Sequence, residues 1–196
     1  MRRFVAIALS SAVAVLAAGC GSSPSARFYT LSATAAGAGA SSNMSVAVGP
    51  VAVPAAVDRP QMVVTVSPNQ VRLEELNRWA SPLSSDIGRV VAENLVMMLG
   101  TPRVAASLQT LSPDADYRAA IEVQRFDSAL GEAATLEAVW SVSRLSDGQS
   151  RTGRTNARET VPDKSFDALA AAHSRAVARL SQDIADAVRS LASSGQ

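Results

Sequence analysis

Residues 51–99 read VAVPAAVDRPQMVVTVSPNQVRLEELNRWASPLSSDIGRVVAENLVMML, and the spacing of the apolar residues changes halfway along this stretch. Residues 62–66 are rich in β-branched side chains, and residues 71–76 can pair with them, because Ser67-Pro68-Asn69 between the two runs is typical of a turn. In the second half of the stretch, apolar residues recur at helical spacing instead. The stretch therefore predicts a β-hairpin that leads directly into a helix.

This helix has sequence signals at both ends. Ser81 followed by Pro82 fits an N-cap and a first-turn proline, and Gly100 fits a stop. The apolar residues recur at spacings of three and four, so they share one face: Leu83, Ile87, Val90, Val91, Leu95, Met98 and Leu99. The opposite face, which we expect to meet solvent or a neighbouring element, carries Asp86, Arg89, Glu93 and Asn94.

The rest of the chain supplies more strands and a closing helix. Residues 28–31 and 44–53 predict strands, the second with a kink at Gly49-Pro50, and residues 104–161 alternate as strands do. A long apolar stripe then predicts a helix that starts near Phe166. Strands followed by a helix, twice along the chain, predict an α+β fold, a mostly antiparallel sheet with two long amphipathic helices packed on one face.

The N-terminal residues have the layout of a bacterial export signal, with Arg2 and Arg3 before an apolar run that ends in small residues. We predict a signal peptide at residues 1–19. The residues before Cys20 resemble a lipobox, where a diacylglycerol (typically palmitate-bearing) is attached to the cysteine thiol. The chain has one cysteine, so an internal disulfide is excluded, and its Gly-Ser-Ser neighbours do not fit a core thiol.

The domain boundaries follow from this interpretation. Residues 20–27 form a lipidated cysteine with a flexible tether, and residues 28–196 form a single domain, with a low-complexity loop at 32–43 that we expect to be mobile. The residue after Cys20 is Gly21 and not the aspartate that commonly retains lipoproteins at the inner membrane. We therefore expect a lipid anchor in the outer membrane, on its periplasmic face.

Composition and chemistry both argue against an enzyme. The whole chain has a formal net charge of +1, and it is near neutral without the basic signal, so no nucleic-acid partner is expected. Its one histidine, His173, falls on the apolar stripe of the last helix, which predicts a packed residue better than a general base. No cluster of Cys and His ligands indicates a metal site, and no cofactor motif is present. We predict a non-catalytic protein without cofactors.

Two segments carry a resemblance to a known family: Arg59-Pro60-Gln61 and the run from Trp79 to Leu83, WASPL. Together with the lipobox and Tyr29-Thr30-Leu31, they make the mature chain similar to the PqiC/YmbA-like ABC-type transport auxiliary lipoproteins. The resemblance implies an accessory subunit of an MCE-domain, ABC-type intermembrane lipid transport system, whose partner is the periplasmic MCE protein. Because MCE assemblies are rings, a homo-oligomer of matching symmetry is a further expectation.

The residues that contact this partner are expected where polar and amphipathic groups crowd the sequence around the hairpin. They are Asp58, Arg59, Gln61, Asn69, Gln70, Arg78 and Trp79. Arginine and tryptophan are common interface anchors. The alternative is structural, with Trp79 packed under the start of the helix and Arg59 bonded to a loop carbonyl, and for Trp79 this alternative is favoured.

Two other functions stay open at the level of sequence. A lipid carrier would need a large apolar cavity between sheet and helices, and a docking subunit would instead show a filled core. A purely structural envelope lipoprotein would depend on Cys20 and not on the Arg59–Gln61 and Trp79 surface.

Overall fold

The computed structural model describes residues 24–35, 41–106 and 115–194. The predicted signal peptide and Cys20 therefore lie outside the described residues. The helices and strands of the described part are β1 (Arg27–Tyr29), β2 (Val46–Ala52), β3 (Gln61–Ser67), β4 (Gln70–Trp79), α1 (Leu83–Leu99), β5 (Val104–Ala106), β6 (Tyr117–Ala129), β7 (Ala133–Arg144), β8 (Ser150–Thr160) and α2 (Phe166–Ser193).

The strands form two sheets, where the sequence predicted one. The large sheet has the order β5-β2-β6-β7-β8, and the small sheet has the order β1-β4-β3. The long hairpins β3–β4, β6–β7 and β7–β8 are antiparallel, but β2 runs parallel to both of its neighbours and β1 runs parallel to β4. The α+β class is confirmed. Both sheets are mixed. In the large sheet the chain leaves β2 and reaches β5 through α1, and such helical crossovers join parallel strands.

Both helices pack on one face of the large sheet, as predicted. Helix α1 contacts β2 and β5, helix α2 contacts β6, β7 and β8, and the helices contact each other. The predicted apolar stripes are buried, with Ile87, Leu95 and Ile184 all fully inaccessible to solvent. Because each buried aliphatic side chain contributes about 1.5–3 kcal/mol, this interface is the main source of stability.

The helix ends differ slightly from their sequence signals. Helix α1 begins at Leu83, so Pro82 takes the N-cap position and no side chain caps the helix. Gly100 closes α1 in the left-handed region with a φ of 62°, as its position predicted. In α2 the cap is Ser165, whose hydroxyl oxygen accepts a hydrogen bond of 3.1 Å from the backbone N–H of Ala168.

Candidate functional site

Apolar side chains are exposed mainly on the small sheet. Among the described residues, five of the seven large hydrophobic side chains that are exposed belong to its strands: Phe28, Val66, Val71, Leu73 and Leu76. Exposed apolar groups concentrated on one element mark an interaction surface better than scattered ones do. The small sheet is therefore the candidate functional site.

The centre of this site is a polar cluster formed by a bulge in β4. Gln61 pairs with Arg78 while the next residue, Met62, pairs with Glu74, so three residues of β4 have no partner on β3. In this bulge the side-chain amide of Gln61 donates to Glu75 Oε2 at 3.3 Å. Arg78 Nε donates to the Glu75 carbonyl oxygen at 2.7 Å, and its guanidinium lies 3.6 Å from the Glu75 carboxylate. The structure thus joins Gln61 and Arg78 through Glu75.

Asp58 and Arg59 lie next to this cluster, in the exposed loop between β2 and β3. The loop is fixed to β4, because the backbone N–H of Trp79 donates to the Pro60 carbonyl oxygen at 2.7 Å. We call Asp58, Arg59, Gln61, Glu75 and Arg78 the proximal patch. Glu75 was missed at the level of sequence, because the bulge that turns it toward Gln61 leaves no signal in residue spacing.

Trp79 is on the opposite side of β4 and is only 6% exposed. Its ring packs against Phe126 and His173, with centroids 6.1 and 6.2 Å apart. This position agrees with the packing alternative, and it leaves the indole without a surface for a partner. Trp79 positions the end of β4 and is not part of the proximal patch.

Asn69 and Gln70 are exposed at the β3–β4 turn, at the other end of the hairpin from the proximal patch. All residues from 66 to 73 are exposed. We call residues 65–73 the distal arm. Among the described interactions, no contact links Asn69 or Gln70 with Gln61. The predicted partner-binding residues therefore divide between two places on the small sheet.

The segment that follows β1 is tied to helix α1 by a buried carboxylate. Asp86, 3% exposed, accepts a hydrogen bond of 2.8 Å from the Leu31 backbone N–H and a second from the Thr30 hydroxyl. Arg89 pairs with Asp86 and also donates to the Leu31 carbonyl oxygen at 2.7 Å. Arg89 also pairs with Glu93 at 2.8 Å, and its bonds to Asp86 and Glu93 raise the pKa of its guanidinium.

Two more polar side chains continue this attachment along residues 30–35, which we call the strap. The side-chain oxygen of Asn94 accepts from the backbone N–H groups of Thr34 and Ala35, at 3.1 and 3.0 Å. Ser174 on α2 accepts from Ser32 at 3.1 Å. Asp86 and Asn94 therefore face a neighbouring segment, which was one of the two expectations for this side of the helix, and the strap covers them. The described start of the low-complexity loop is bonded to both helices.

His173 is fully buried and stacks on Phe126, with ring centroids 3.9 Å apart. Its Nε2 lies 2.8 Å from the hydroxyl oxygen of Ser128. Burial lowers the pKa of His173 to about 3, so the ring is neutral at physiological pH. A general base must reach a substrate, and this imidazole is enclosed by the core.

Two depressions of the described surface lie outside the interface between the large sheet and the helices. A shallow groove of about 290 Å³ runs along Pro50, Ala52, Ala120 and Val139. A wider, polar depression is lined by residues that include Arg103 and Asp116. The space between the large sheet and the helices is instead filled by buried side chains.

Within residues 24–35, 41–106 and 115–194, no three His, Cys, Asp or Glu side chains come together in a way that could hold a metal ion. Neither helix has the combination of length and apolarity that crossing a bilayer requires.

Comparison with solved structures shows that this fold is shared. The crystal structure of an uncharacterized protein superposes with a TM-score of 0.69 at 21% identity, covering 84% of this chain and 99% of the other. A protein of the DUF330 family from Xanthomonas campestris gives a TM-score of 0.63 at 21% identity, covering 87% of this chain and all of the other.

A more distant match is the PelC dodecamer from Paraburkholderia phytofirmans, with a TM-score of 0.38 at 14% identity over 76% of this chain and 91% of the other. No curated protein matches the chain by sequence. A family model does match, over residues 29–185, which run from β1 into the second half of α2. The chain therefore belongs to the family of the ABC-type transport auxiliary lipoprotein component.

Proposed function

We propose that the protein is a non-catalytic lipoprotein, anchored through Cys20 in the outer membrane and facing the periplasm, that serves as accessory subunit of an MCE/ABC-type intermembrane lipid transport system. In this proposal it docks to the periplasmic MCE-domain protein through the proximal patch. The match to a transport auxiliary lipoprotein family over residues 29–185 is the observation that carries the proposal.

The filled core favours a subunit that docks to another protein rather than a carrier that encloses lipid. The side chains that would line a cavity between helices and sheet, such as Val91, Leu136 and Leu180, are fully buried against one another. Natural ligand cavities span about 300–1,000 Å³ and enclose most of the ligand. The apolar groove near Pro50 is open to solvent on the outside of the sheet, where it does not enclose an acyl chain.

The composition of the proximal patch also supports protein contact. Arg78 is partly exposed, with 37% of its side chain accessible, and Glu75 is 66% accessible. The two are held in place by backbone and amide contacts, and a fixed guanidinium is a typical interface anchor because it loses little conformational freedom on binding. Phe28 pairs with Arg78 across β1 and β4 and is 65% exposed, so it places an apolar group beside the charged ones.

Docking is tested by pull-down of the MCE protein with the lipoprotein solubilised in mild detergent. Arg78→Ala combined with Gln61→Ala should weaken recovery of the MCE protein about tenfold or more, because anchors of this type contribute about 2 kcal/mol or more. Arg151→Ala, an exposed arginine on β8, is the matched control and should bind as the parent does. Equal recovery from both variants would contradict docking through the proximal patch and would favour a purely structural lipoprotein.

The anchor is tested separately, by mass spectrometry of the exported protein and by membrane fractionation. We expect a mature chain that begins at an acylated Cys20 and sediments with the outer membrane, and we expect Cys20→Ser to release the protein. An unmodified thiol or an uncleaved leader would overturn this part of the proposal. Lipid that co-purifies in stoichiometric amount with the Cys20→Ser chain, which has no thiol to be acylated, would instead favour a lipid carrier.

A further inference from the structure

The short strand β1 fixes the direction from which the chain enters the domain. It runs parallel to β4, with Arg27 opposite Asn77 and Tyr29 opposite Trp79. Residues that precede Arg27 therefore approach from the side of Leu76, which is the side of the β3–β4 turn. The exposed residues 24–26 lie on this path. The N-terminal end of the domain and the distal arm consequently point the same way.

The length of the tether before Arg27 matches the length of β4 from Asn77, which lies beside Arg27, to the tip of the distal arm. Cys20 is seven residues before Arg27, and seven extended residues span at most about 25 Å. On β4, Gln70 is likewise seven residues before Asn77, which corresponds to at most about 24 Å for a strand. An acylated Cys20 therefore holds the membrane surface within reach of the tip of the distal arm.

The chemistry of the distal arm suits a lipid surface. Residues 65–73 read TVSPNQVRL and contain no Asp or Glu, so anionic headgroups would not repel the arm. Val66 is 51% exposed, Val71 59% and Leu73 40%. The single charge is Arg72, which pairs with Glu74 at 2.6 Å and keeps 58% of its side chain accessible. An arginine among apolar groups can bury its stem and leave its guanidinium at the headgroups.

We propose that the distal arm rests in the interfacial region of the membrane that holds Cys20, with Val66, Val71 and Leu73 among the lipid headgroups and upper acyl chains. This inference rests on the proposed lipid anchor. The arm would give the domain one fixed orientation on the bilayer and would place the proximal patch farther from the membrane than the arm, on the side available to a periplasmic protein.

The test uses the acylated, full mature lipoprotein reconstituted in vesicles of phosphatidylethanolamine and phosphatidylglycerol. Acylation consumes the only native thiol, so Val71→Cys introduces a unique site for an environment-sensitive NBD label. Thr152→Cys, exposed on β8 of the large sheet, is the matched control. Flotation with the vesicles is measured first, and quenching by doxyl-labelled lipids is measured second.

We expect both labelled proteins to float, and we expect quenching at Val71 to be at least about twofold stronger than at Thr152, since interfacial apolar groups lie about 5–10 Å into the headgroup boundary. Flotation without quenching at Val71, or equal quenching at both sites, would overturn the inference and leave the anchor intact. A blue shift at Val71 that follows protein concentration without lipid would overturn it in favour of a second copy of the chain. Failure to float would refute the anchor itself, and the inference with it.

Discussion

The attachment of the strap to helix α1 gives the most quantitative prediction. Replacing Asp86 by alanine removes the buried carboxylate that accepts from Thr30 and from the Leu31 backbone N–H. It also removes the partner of Arg89 inside the domain. We expect this change to loosen the strap, and with it β1 and the connection from the tether to the core.

The magnitude follows from the groups that lose partners. The Leu31 N–H is buried, and an unsatisfied buried donor costs about 1–3 kcal/mol. Thr30 keeps the Leu31 carbonyl oxygen as an acceptor, so its loss is small. Arg89 is 42% accessible and keeps Glu93, and half-exposed ion pairs contribute at most about 1 kcal/mol. Asp86→Ala should therefore lower the free energy of unfolding by about 1–4 kcal/mol.

The assay is urea unfolding of a Cys20→Ser chain without its signal, followed by tryptophan emission, because Trp79 is buried and pairs with Tyr29, the residue of β1 that precedes the strap. Asp86→Asn keeps an acceptor for Leu31 and should lose less, about 1 kcal/mol. Glu93→Ala removes the exposed partner of Arg89 and should change stability by less than about 0.5 kcal/mol. A loss below about 1 kcal/mol for Asp86→Ala, or an equal loss for Glu93→Ala, would refute the role assigned to the buried carboxylate.

Two further predictions concern the core. Because burial lowers the pKa of His173 to about 3, the unfolded chain binds a proton below its ordinary pKa of 6.5 and the folded chain does not. The contribution of neutral His173 to the free energy of unfolding is then full above pH 6.5 and decreases as the pH falls toward 3, by about 2 kcal/mol between pH 7.5 and 5. Urea unfolding at several pH values across this range should show that loss, and His173→Gln should remove most of this pH dependence. At Gly153 an added Cβ would stand 2.6 Å from Cη2 of Trp140, so Gly153→Ala should cost about 1–3 kcal/mol in thermal unfolding. Gly148→Ala is the comparison. A Cβ added at Gly148 meets no neighbour within 4 Å, but the residue has a φ of +74°, so this change should lower the free energy of unfolding by about 1 kcal/mol. A melting temperature unchanged by Gly153→Ala would contradict the close packing of Trp140.

Local patterns in the sequence were sufficient to predict most of the regular elements. Hairpin β3–β4 and both amphipathic helices lie where periodicity predicted them. Gly100 ends α1 because its left-handed conformation is readily adopted by glycine. These features depend on residues close to one another in the chain, and so periodicity can report them.

The division into two sheets depends on contacts between distant residues and was not predicted. The same holds for the partners of Asp86 and Asn94, which were expected to meet either solvent or a neighbouring element. Their partners are backbone groups of the strap, some 55–60 residues away in the chain. Such bonds leave no signal in a low-complexity sequence, because every residue except proline has the same backbone N–H group.

The candidate site was predicted in part for a similar reason. Arg78 and Gln61 do come together, but through Glu75, which an irregular bulge turns toward them. The alternation expected of a regular strand would place Glu74 and Glu75 on opposite faces, and it gives no sign of the three unpaired residues. Trp79 was named among the candidate contact residues because of its type, although packing under the start of the helix was favoured for it. The packing of Phe126 and His173 around it agrees with that alternative.

The proposed function depends on contact between this domain and a periplasmic transport protein while lipid holds the domain at the membrane. Photo-crosslinking in living cells can detect this contact, with a crosslinking amino acid at Gln61 in the proximal patch and, as control, at Thr152 on the large sheet. We expect the Gln61 adduct to contain the MCE-domain protein and the Thr152 position to give little or none. An adduct with no transport component at Gln61, or the same adduct from both positions, would contradict it.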